Sequence, residues 1–414
     1  MTYVEFFDST EVENVCACLV RPPERVILIG ADARKLGPHA ERYRQLMADR
    51  GHQVEFICRG VNRNKLQDIV DELCRIVETY EDCVFDLTGG EDLYLVAVGI
   101  VWDHYRDLNL QMHRINVYTG SISDCDLDGN TIAQGIVPAL TVEENIRVYG
   151  GVVVRDEDKA NRTYDWDMNE AFCDDIDAIW RVCRADTRLW NRQISVLKMM
   201  NACADDDPLT LTATQQRLIP LLQAEKALFI WDDKVLKPLL EKGLLTAYDD
   251  SDGVLSVSFK NEQVKRCLTT EGLALEMKMY LTALRCSENG ERVYDDAMNG
   301  VSIDWDGKLH FEGEARDTEN EIDVMMMHGL IPVFVSCKNG FMKMEELYKL
   351  DAVADRFGNK YAKKVLVATG LEYAGGFGDD VRQRAKDMGI RVVEGVQRMT
   401  EEELIRVVKS FWFN

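Results

Sequence analysis

The chain has 414 residues, of which 46% are hydrophobic and 29% are charged, and its formal net charge is −23. No segment reaches the roughly 18 apolar residues that a membrane span needs, and the acidic N-terminus lacks the basic start and apolar run of a signal peptide. We therefore expect a cytoplasmic protein without membrane contact. The negative charge argues against nonspecific coating of nucleic acids, because that affinity comes from cations that displace counterions along the phosphate backbone.

The first 120 residues alternate short apolar runs with amphipathic stretches, which is typical of a parallel sheet with crossover helices. The predicted strands are Val4–Phe7, Val26–Gly30, Val54–Cys58, Cys83–Asp86 and Arg114–Tyr118. The most apolar stretch, Leu93–Trp102, is predicted as a buried helix. In a doubly wound sheet, ligands bind outside the carboxyl ends of the strands, where loops and helix N-termini present free N–H groups. The loops after strands one, two and four are therefore candidate binding loops.

Two of these loops have a composition that suits phosphate binding. Strand one continues into Asp8, Ser9 and Thr10, and strand four continues into Thr88, Gly89, Gly90, Glu91 and Asp92. The glycines allow the main chain to approach a ligand, and a helix that starts at Asp92 would favour anions at its N-terminus. Neither loop matches the dinucleotide or P-loop fingerprint. By itself, the loop at Thr88 fits a simple capping turn equally well.

The middle of the chain changes in character. Residues 150–200 are acidic and carry Trp166, Trp180 and Trp190, which we interpret as packing between domains. Residues 210–259 predict two helices and an apolar strand after a turn, the order of a winged helix-turn-helix. A DNA-reading helix at 233–242 is one interpretation. We favour a structural or dimer-spacing role, because the three lysines of that segment are offset by acidic residues.

Segments 320–324 and 332–339 predict a hairpin with its turn at 328–329. The two-residue period of a strand puts Ser336 and Lys338 on one face, and it puts Glu321 and Asp323 on one face of the opposing strand. Such a group suits phosphodiester hydrolysis: carboxylates hold Mg²⁺ or Mn²⁺, the metal lowers the pKa of a bound water, and the lysine orients or stabilises the attacking hydroxide. By themselves, Asp323 and Lys338 would also fit a solvated surface ion pair.

The flanking segments favour the catalytic interpretation. Upstream, a predicted helix carries Glu276, which can supply a second metal ligand. Downstream, an amphipathic helix at 344–357 carries Glu345 and Glu346 and precedes a buried strand at 364–368. The predicted order of elements in this part of the chain is therefore helix, hairpin, helix and strand.

In this combination the chain resembles the cyclic-oligoadenylate-activated nucleases of type III CRISPR systems, which join a CRISPR-associated Rossmann-fold (CARF) domain to a PD-(D/E)xK nuclease domain. The resemblance covers almost the whole length. It rests on segments 6–10 and 86–92, on Gly272-x-x-Leu275-Glu276, on Asn320-Glu321-x-Asp323 and on Ser336-Cys337-Lys338-Asn339-Gly340. It implies an α/β fold with a Rossmann-like CARF domain at 1–150, a helical and winged-helix-like segment at 151–265, and a restriction-endonuclease-like α/β domain at 266–414.

The resemblance also implies a function. The family forms homodimers that bind cyclic tetra-adenylate between paired sensor domains and then cut nucleic acid in antiviral defence, so the expected substrates are single-stranded RNA or DNA and plasmid DNA. Carried over, Asp323 is the metal-binding aspartate, Lys338 the catalytic lysine, Glu276 the helix-borne glutamate, and the Cys337 carbonyl a main-chain metal ligand. The alternative is a cyclic-nucleotide-sensing transcriptional regulator with a degenerate nuclease domain. The Asp8 and Thr88 loops contain no histidine or lysine, which argues against degradation of the activator.

One position departs from the family pattern, since Ser336 stands where an acidic residue is usual. A serine hydroxyl is a poor ligand for a hard dication, so the site either binds one metal weakly or uses Glu321, Glu345 or Glu346 instead. We predict that cleavage is faster with Mn²⁺ than with Mg²⁺. A titration of both metals at fixed substrate measures this, and equal or faster turnover with Mg²⁺ would contradict it.

Overall fold

Two large β-sheets organise the chain. A computed structural model describes residues 1–80, 82–108, 110–126, 128–156, 162–203, 208–307, 319–340, 342–371 and 376–413. Their elements form an α/β fold with a Rossmann-like sheet in front, a winged-helix-like middle and a mixed sheet behind. The fold class expected from the sequence is therefore confirmed.

The first sheet is Rossmann-like. Its strands are β1 (Thr2–Phe6), β2 (Arg25–Gly30), β3 (Glu55–Gly60), β4 (Cys83–Asp86), β5 (Gln111–Asn116), β6 (Ser121–Cys125) and β7 (Thr131–Ile136). They lie in the order β3-β2-β1-β4-β5-β6-β7, and the first five in this order are parallel. All five predicted strands are confirmed with ends shifted by up to three residues. The carboxyl ends of β1 and β4 lie side by side, so the two predicted binding loops emerge next to each other.

The helices of this part are α1 (Cys16–Val20), α2 (Ala33–Asp49), α3 (Leu66–Thr79), α4 (Asp92–His104) and α5 (Val142–Val148). The expectation that Leu93–Trp102 forms a buried helix is only half right. Helix α4 buries Tyr94, Val98 and Val101 against the sheet. It exposes Leu95, Val96 and Ile100 by 43%, 49% and 42%, because its opposite face has no covering element in the described monomer.

The middle segment contains α6 (Glu170–Ala185), α7 (Thr187–Ala202), β9 (Thr210–Thr214), α8 (Gln215–Ala224), α9 (Asp233–Glu241), β10 (Leu245–Ser251), β11 (Val254–Phe259) and α10 (Glu262–Thr269). The three strands form a small antiparallel sheet in the order β10-β11-β9, as in a winged helix. Trp180 and Trp190 are buried in the core that this segment shares with the second sheet, whereas Trp166 is only partly buried. The described helix α9 exposes Lys234 and Lys237 beside Asp233 and Glu241, so it presents no basic face.

The second sheet is mixed. Its strands are β8 (Val152–Val153), β14 (Asp296–Asp304), β15 (Glu319–His328), β16 (Ile331–Lys338), β17 (Lys363–Ala368) and β18 (Ile390–Glu394). The accompanying helices are α11 (Leu273–Arg285), α12 (Glu345–Gly358), α13 (Gly376–Asp387) and α14 (Glu401–Lys409), with a short hairpin of β12 (Ser287–Glu288) and β13 (Glu291–Arg292). The order is β18-β17-β16-β15-β14-β8, in which β16, β17 and β18 are parallel. The predicted hairpin is confirmed as β15 and β16, with Val324 opposite Val335.

Both faces of the second sheet are buried. Val324 and Met326 point into the core shared with the middle helices, whereas Met325 and Met327 point into the core shared with the first sheet. The run Met325–Met327 therefore belongs to the hydrophobic core. A cluster of polar side chains lies where β15 begins and β16 ends, and this edge carries the candidate site. Among the described residues, no helix is both long and apolar enough to cross a bilayer.

Candidate active site and ligand-binding loops

Asp323 is the centre of the polar cluster at the edge of the second sheet. Its Oδ2 accepts hydrogen bonds from the Ser336 hydroxyl at 3.2 Å and from the Cys337 amide at 2.5 Å. The ammonium of Lys338 lies 3.4 Å from the same oxygen. Three donors thus hold one carboxylate oxygen, and no hydrogen bond to Oδ1 is seen among the described residues.

Lys338 lies between two carboxylates. Its Nζ is 3.3 Å from Oε2 of Glu346, which lies in the first turn of α12, and its side chain is 21% exposed. Burial lowers the pKa of Lys338, but Asp323 and Glu346 outweigh burial and raise it above its usual value. Lys338 is therefore a cation at neutral pH, so it can stabilise negative charge but cannot act as a general base.

Three carboxylates share one small cavity. Glu276 of α11 and Glu321 and Asp323 of β15 line a cavity of about 150 Å³. Asn299 and Val301 pair with Val324 and Ile322, so Gly300 lies opposite Asp323 and places no side chain over the carboxylates. Gly272, at φ +84°, leaves room for Glu276, since a Cβ there would lie 2.7 Å from its Oε1. Sequence distance hides this grouping, because Glu276 is 47 positions from Asp323.

The carboxylates shift each other's protonation. Burial, then Asp323 and Glu321, raise the pKa of Glu276 well above its usual value. Burial and Asp323 also raise the pKa of Glu321. Glu346 differs: burial raises its pKa, but Lys349 and Lys338 outweigh burial and lower it. The cavity therefore concentrates negative charge that nearby cations only partly neutralise.

The structure places the predicted catalytic residues as follows. Asp323, Ser336 and Lys338 meet directly, and Glu276 faces Asp323 across the cavity. Ser336 is 9% exposed and donates to Asp323. Of the three carboxylates considered as replacements for the missing acid, Glu321 lines the cavity, Glu346 pairs with Lys338 and Glu345 is exposed to solvent.

The rim of the cavity contains residues that the sequence did not indicate. Tyr164, Trp166 and Arg266 line it, and the Arg266 guanidinium lies 4.5 Å from the centre of the Tyr164 ring. Trp166 Nε1 donates to Asn299 Oδ1 at 3.1 Å, and Asn299 Nδ2 donates to the Asp323 carbonyl at 2.9 Å. The sequence marks this rim only through the Trp-containing segment at 150–200, whose predicted role is packing between domains.

The two predicted binding loops touch each other. A Cβ on Gly89 would lie 3.1 Å from Asp8, and one on Gly90, at φ +95°, would lie 2.7 Å from Phe6. Asp8 Oδ1 accepts from the Thr10 amide at 2.7 Å, and the Ile115 amide donates to the Thr88 hydroxyl at 2.9 Å. The close packing explains why glycines follow Thr88.

Only some of the residues predicted to bind a ligand in these loops are exposed to solvent. Ser9, Glu91 and Asp92 are exposed, Asp8, Thr88, Gly89 and Gly90 are partly buried, and Thr10 is 3% exposed. Helix α4 begins at Asp92, as predicted, with Glu91 as its N-cap, and Glu91 pairs with Arg63 at 2.7 Å. Arg63 follows β3, a loop that the sequence analysis did not select.

The comparisons with known proteins concern the whole chain. No protein-family model matches the sequence, and none of the curated proteins matches it. The fold is similar to that of protein VC1899 from Vibrio cholerae, with a TM-score of 0.72 and 18% identity, over 99% of this chain and 97% of that one. It is also similar to Can2 from Sulfobacillus thermosulfidooxidans, solved in complex with cyclic tetra-adenylate, with a TM-score of 0.66 and 18% identity over 98% and 99% of the chains. The fold is therefore shared from end to end.

The electrostatics of the cleft predict that Glu276→Gln stabilises the folded protein at high pH, whereas Glu346→Gln destabilises it. Because the folded-state pKa of Glu276 is raised, the folded protein loses stability as pH rises above the unfolded value of about 4.3. Glu276→Gln should therefore raise Tm of the metal-free protein at pH 8, with the gain disappearing towards pH 4. Glu346→Gln should lower Tm at pH 8, since the pKa of Glu346 is lowered. Thermal denaturation in a chelator measures both, and a lower Tm for Glu276→Gln at pH 8 would contradict the electrostatic account.

Proposed function

We propose that the chain is a CARF-domain ancillary nuclease of type III CRISPR defence, activated by cyclic tetra-adenylate, that hydrolyses RNA or DNA phosphodiester bonds with Mn²⁺ or Mg²⁺. One observation carries the proposal. Glu276, Asp323 and Lys338 converge on one edge of the second sheet. They do so in a chain that shares its whole fold with a protein solved in complex with that activator.

The residues of the cleft fit a divalent metal. Asp323 Oδ1, Glu276 and Glu321 offer oxygen ligands in one cavity, and oxygen is the donor that Mg²⁺ and Mn²⁺ prefer. Burial and the neighbouring carboxylates raise the pKa values of Glu276 and Glu321, and a bound dication would offset this repulsion. When bound, the metal would polarise the phosphate and acidify a water. Glu321 is our candidate for the acid missing at position 336.

The protein's own groups have separate roles in this proposal. Ser336 and the Cys337 amide orient Asp323, so that Oδ1 points away from its three donors. Lys338, a cation, stabilises the charge that develops on the phosphate oxygens as water adds to phosphorus and the ester oxygen leaves. Glu346 holds Lys338 from the other side. The Cys337 carbonyl remains a candidate metal ligand.

The rim suits a single strand of nucleic acid. Arg266 can pair with a phosphate, and the rings of Tyr164 and Trp166 can stack on a base. Because base stacking and phosphate contacts are tolerant of sequence, such a rim favours broad substrate use. A local cation beside two aromatic rings also reconciles nucleic-acid binding with a net charge of −23.

The described monomer supports self-association through its first sheet. Helix α4 exposes Leu95, Val96 and Ile100, and β7 exposes Ile136 by 80%. Exposed apolar side chains grouped on one face of a helix, as on α4, are typical of an interaction site. Burial of this surface between two copies is our proposal for the homodimer, which would bring two pairs of binding loops towards one two-fold axis.

A single helix connects the activator loop to the catalytic lysine. At its start, α12 carries Glu346, which contacts Lys338. Just beyond its end, Asn359 Nδ2 donates to the Ser9 carbonyl at 3.4 Å, Lys360 pairs with Glu13 at 2.9 Å, and the Tyr361 hydroxyl donates to Glu13 at 2.5 Å. Since 14 helical residues span about 21 Å and move as one body, displacement of the Ser9 loop by an activator would be felt at Lys338.

The regulator alternative receives less support. The absence of an acidic residue at Ser336 would favour a degenerate nuclease domain. The Ser336 hydroxyl, however, donates to Asp323 and so takes part in the polar cluster. The described helix α9 presents no basic face, so it lacks the electrostatic footprint of a DNA-reading helix. A functional nuclease site explains the residues of the cleft better than a degenerate nuclease domain does.

The first prediction from this proposal concerns Lys338. Lys338→Ala should lower kcat by roughly 100-fold or more, the usual cost of removing one group that stabilises transition-state charge. Lys349→Ala is the matched control, because Lys349 also pairs with Glu346 at 3.0 Å but is 63% exposed, whereas Lys338 also contacts Asp323. Cleavage of plasmid and single-stranded nucleic acid is measured with metal, with and without cyclic tetra-adenylate. Cutting that needs neither activator nor Lys338 would overturn the proposed mechanism.

The second prediction concerns transmission. Lys360→Ala removes an ion pair to Glu13, whose side chain is 2% exposed, and should reduce activator-dependent stimulation about tenfold while the Kd for cyclic tetra-adenylate changes little. Lys343→Ala, an exposed lysine at the other end of α12, is the control. Calorimetry measures binding and the cleavage assay measures stimulation. Equal stimulation in the two variants would mean that α12 does not couple the sites.

A further inference from the structure

A row of ionisable side chains crosses the first sheet beneath the two binding loops. Val4 of β1 pairs with Phe85 of β4, so the next residues, Glu5 and Asp86, are neighbours, and Asp86 pairs with His113 of β5. Glu5 is 2% exposed, and Asp86 and His113 are 1% exposed. Three adjacent strands therefore each contribute one ionisable group to the same buried place.

These side chains point their ligand atoms at one another. One atom from each of Glu5, Asp86 and His113 lies within 4.8 Å of the other two. His113 Nε2 is 3.1 Å from Asp86 Oδ2 and 4.0 Å from Glu5 Oε1. Ligand atoms around a tetrahedral Zn²⁺ with bonds of 2.0–2.1 Å lie about 3.3 Å apart, so these separations bracket that value.

The same atoms have no hydrogen-bond partner. Glu5 Oε1, Asp86 Oδ2 and both ring nitrogens of His113 are buried and unpartnered among the described residues. Buried polar atoms are nearly always paired, so this many buried atoms without a well-formed hydrogen bond in one place point to a missing ligand. The 3.1 Å contact between His113 Nε2 and Asp86 Oδ2 is an ion pair when the imidazole is protonated, but it leaves Glu5 Oε1 and His113 Nδ1 without a partner among the described residues.

The groups packed around the row do not supply the missing positive charge. Asp124 of β6 pairs with His113 in the strand register, and Arg21 is bound to Asp124. The Tyr3 ring stands edge-on to the His113 ring at 4.8 Å. Two buried carboxylates thus face one imidazole, and an isolated buried charge is costly unless it is paired or binds a metal.

We propose that Glu5, Asp86 and His113 form a buried site for a divalent transition metal, with Zn²⁺ the best match to one imidazole and two carboxylates. This site is separate from the nuclease cleft and does not rest on the proposed function. Its role is to tie β1, β4 and β5 together where the binding loops start, since Glu5 lies three residues before Asp8 and Asp86 lies two before Thr88. Metal binding there would stabilise the loops.

The test measures metal content of the full chain after Zn²⁺ loading and removal of free metal by dialysis. We expect Asp323→Asn, which alters only the nuclease cleft, to retain one Zn²⁺ per chain, and the double variant Asp323→Asn/His113→Gln to retain at least tenfold less. His328→Gln is the matched control, because this histidine stacks on Trp412 and contacts the Val293 carbonyl far from the row. Loss of Zn²⁺ in Asp323→Asn, or its retention in the double variant, would overturn the proposal.

A second measurement covers the case in which the double variant does not fold. X-ray absorption of Zn²⁺-loaded Asp323→Asn should show one imidazole with oxygen neighbours and no sulfur. Sulfur ligation, or the absence of any bound Zn²⁺, would overturn the proposal. Neither result depends on nuclease activity, so failure here leaves the proposed function untouched.

Discussion

One carboxylate oxygen organises the cleft. Asp323 Oδ2 accepts from a hydroxyl, a main-chain amide and an ammonium that all belong to three consecutive residues of the neighbouring strand. This arrangement exists only because β15 and β16 pair in one register, and a shift by one residue would turn Asp323 to the opposite face. Both faces of this sheet are apolar along the hairpin, so a contrast between a solvent-exposed face and a buried face does not set the register. The register depends instead on the turn at Gly329 and on these polar contacts.

The same cleft carries an electrostatic cost. Glu276, Glu321 and Asp323 crowd one cavity, and the pKa of Glu276 rises in response to burial and to both neighbours. Proteins keep such arrangements where function requires them, and the rest of the fold must supply the stability. Here the second sheet supplies it, because both of its faces are covered by side chains of other elements.

The two ends of the chain are connected by contacts that span the whole sequence. Ser9 and Glu13 of the first unit touch Asn359, Lys360 and Tyr361, which are about 350 positions away. Asn145 adds a buried hydrogen bond to the Phe357 carbonyl at 2.7 Å. The first and second sheets therefore share one apolar core with a polar connection at its edge. A ligand that displaces the loop at Ser9 would therefore act directly on the segment that follows α12.

The sequence by itself determined the elements and their order. Alternating apolar runs located five strands of the first sheet, and the two-residue period put Ser336 and Lys338 on one face, because local periodicity records which side of an element is buried. The division at residues 150 and 265 remains an interpretation. The assignment of Asp8, Thr88 and their neighbours to an activator likewise remains a prediction.

The tertiary structure determined which distant residues meet, and local sequence patterns do not contain this information. The approach of Glu276 to Asp323, the aromatic and basic rim at Trp166 and Arg266, and the contact of Arg63 with Glu91 join residues that are 28 to 100 positions apart. The row of Glu5, Asp86 and His113 depends on strand order, since each residue comes from a different strand and nothing within its own strand marks a partner. Proximity across a sheet follows from how strands are ordered and paired, and a single sequence does not record that ordering.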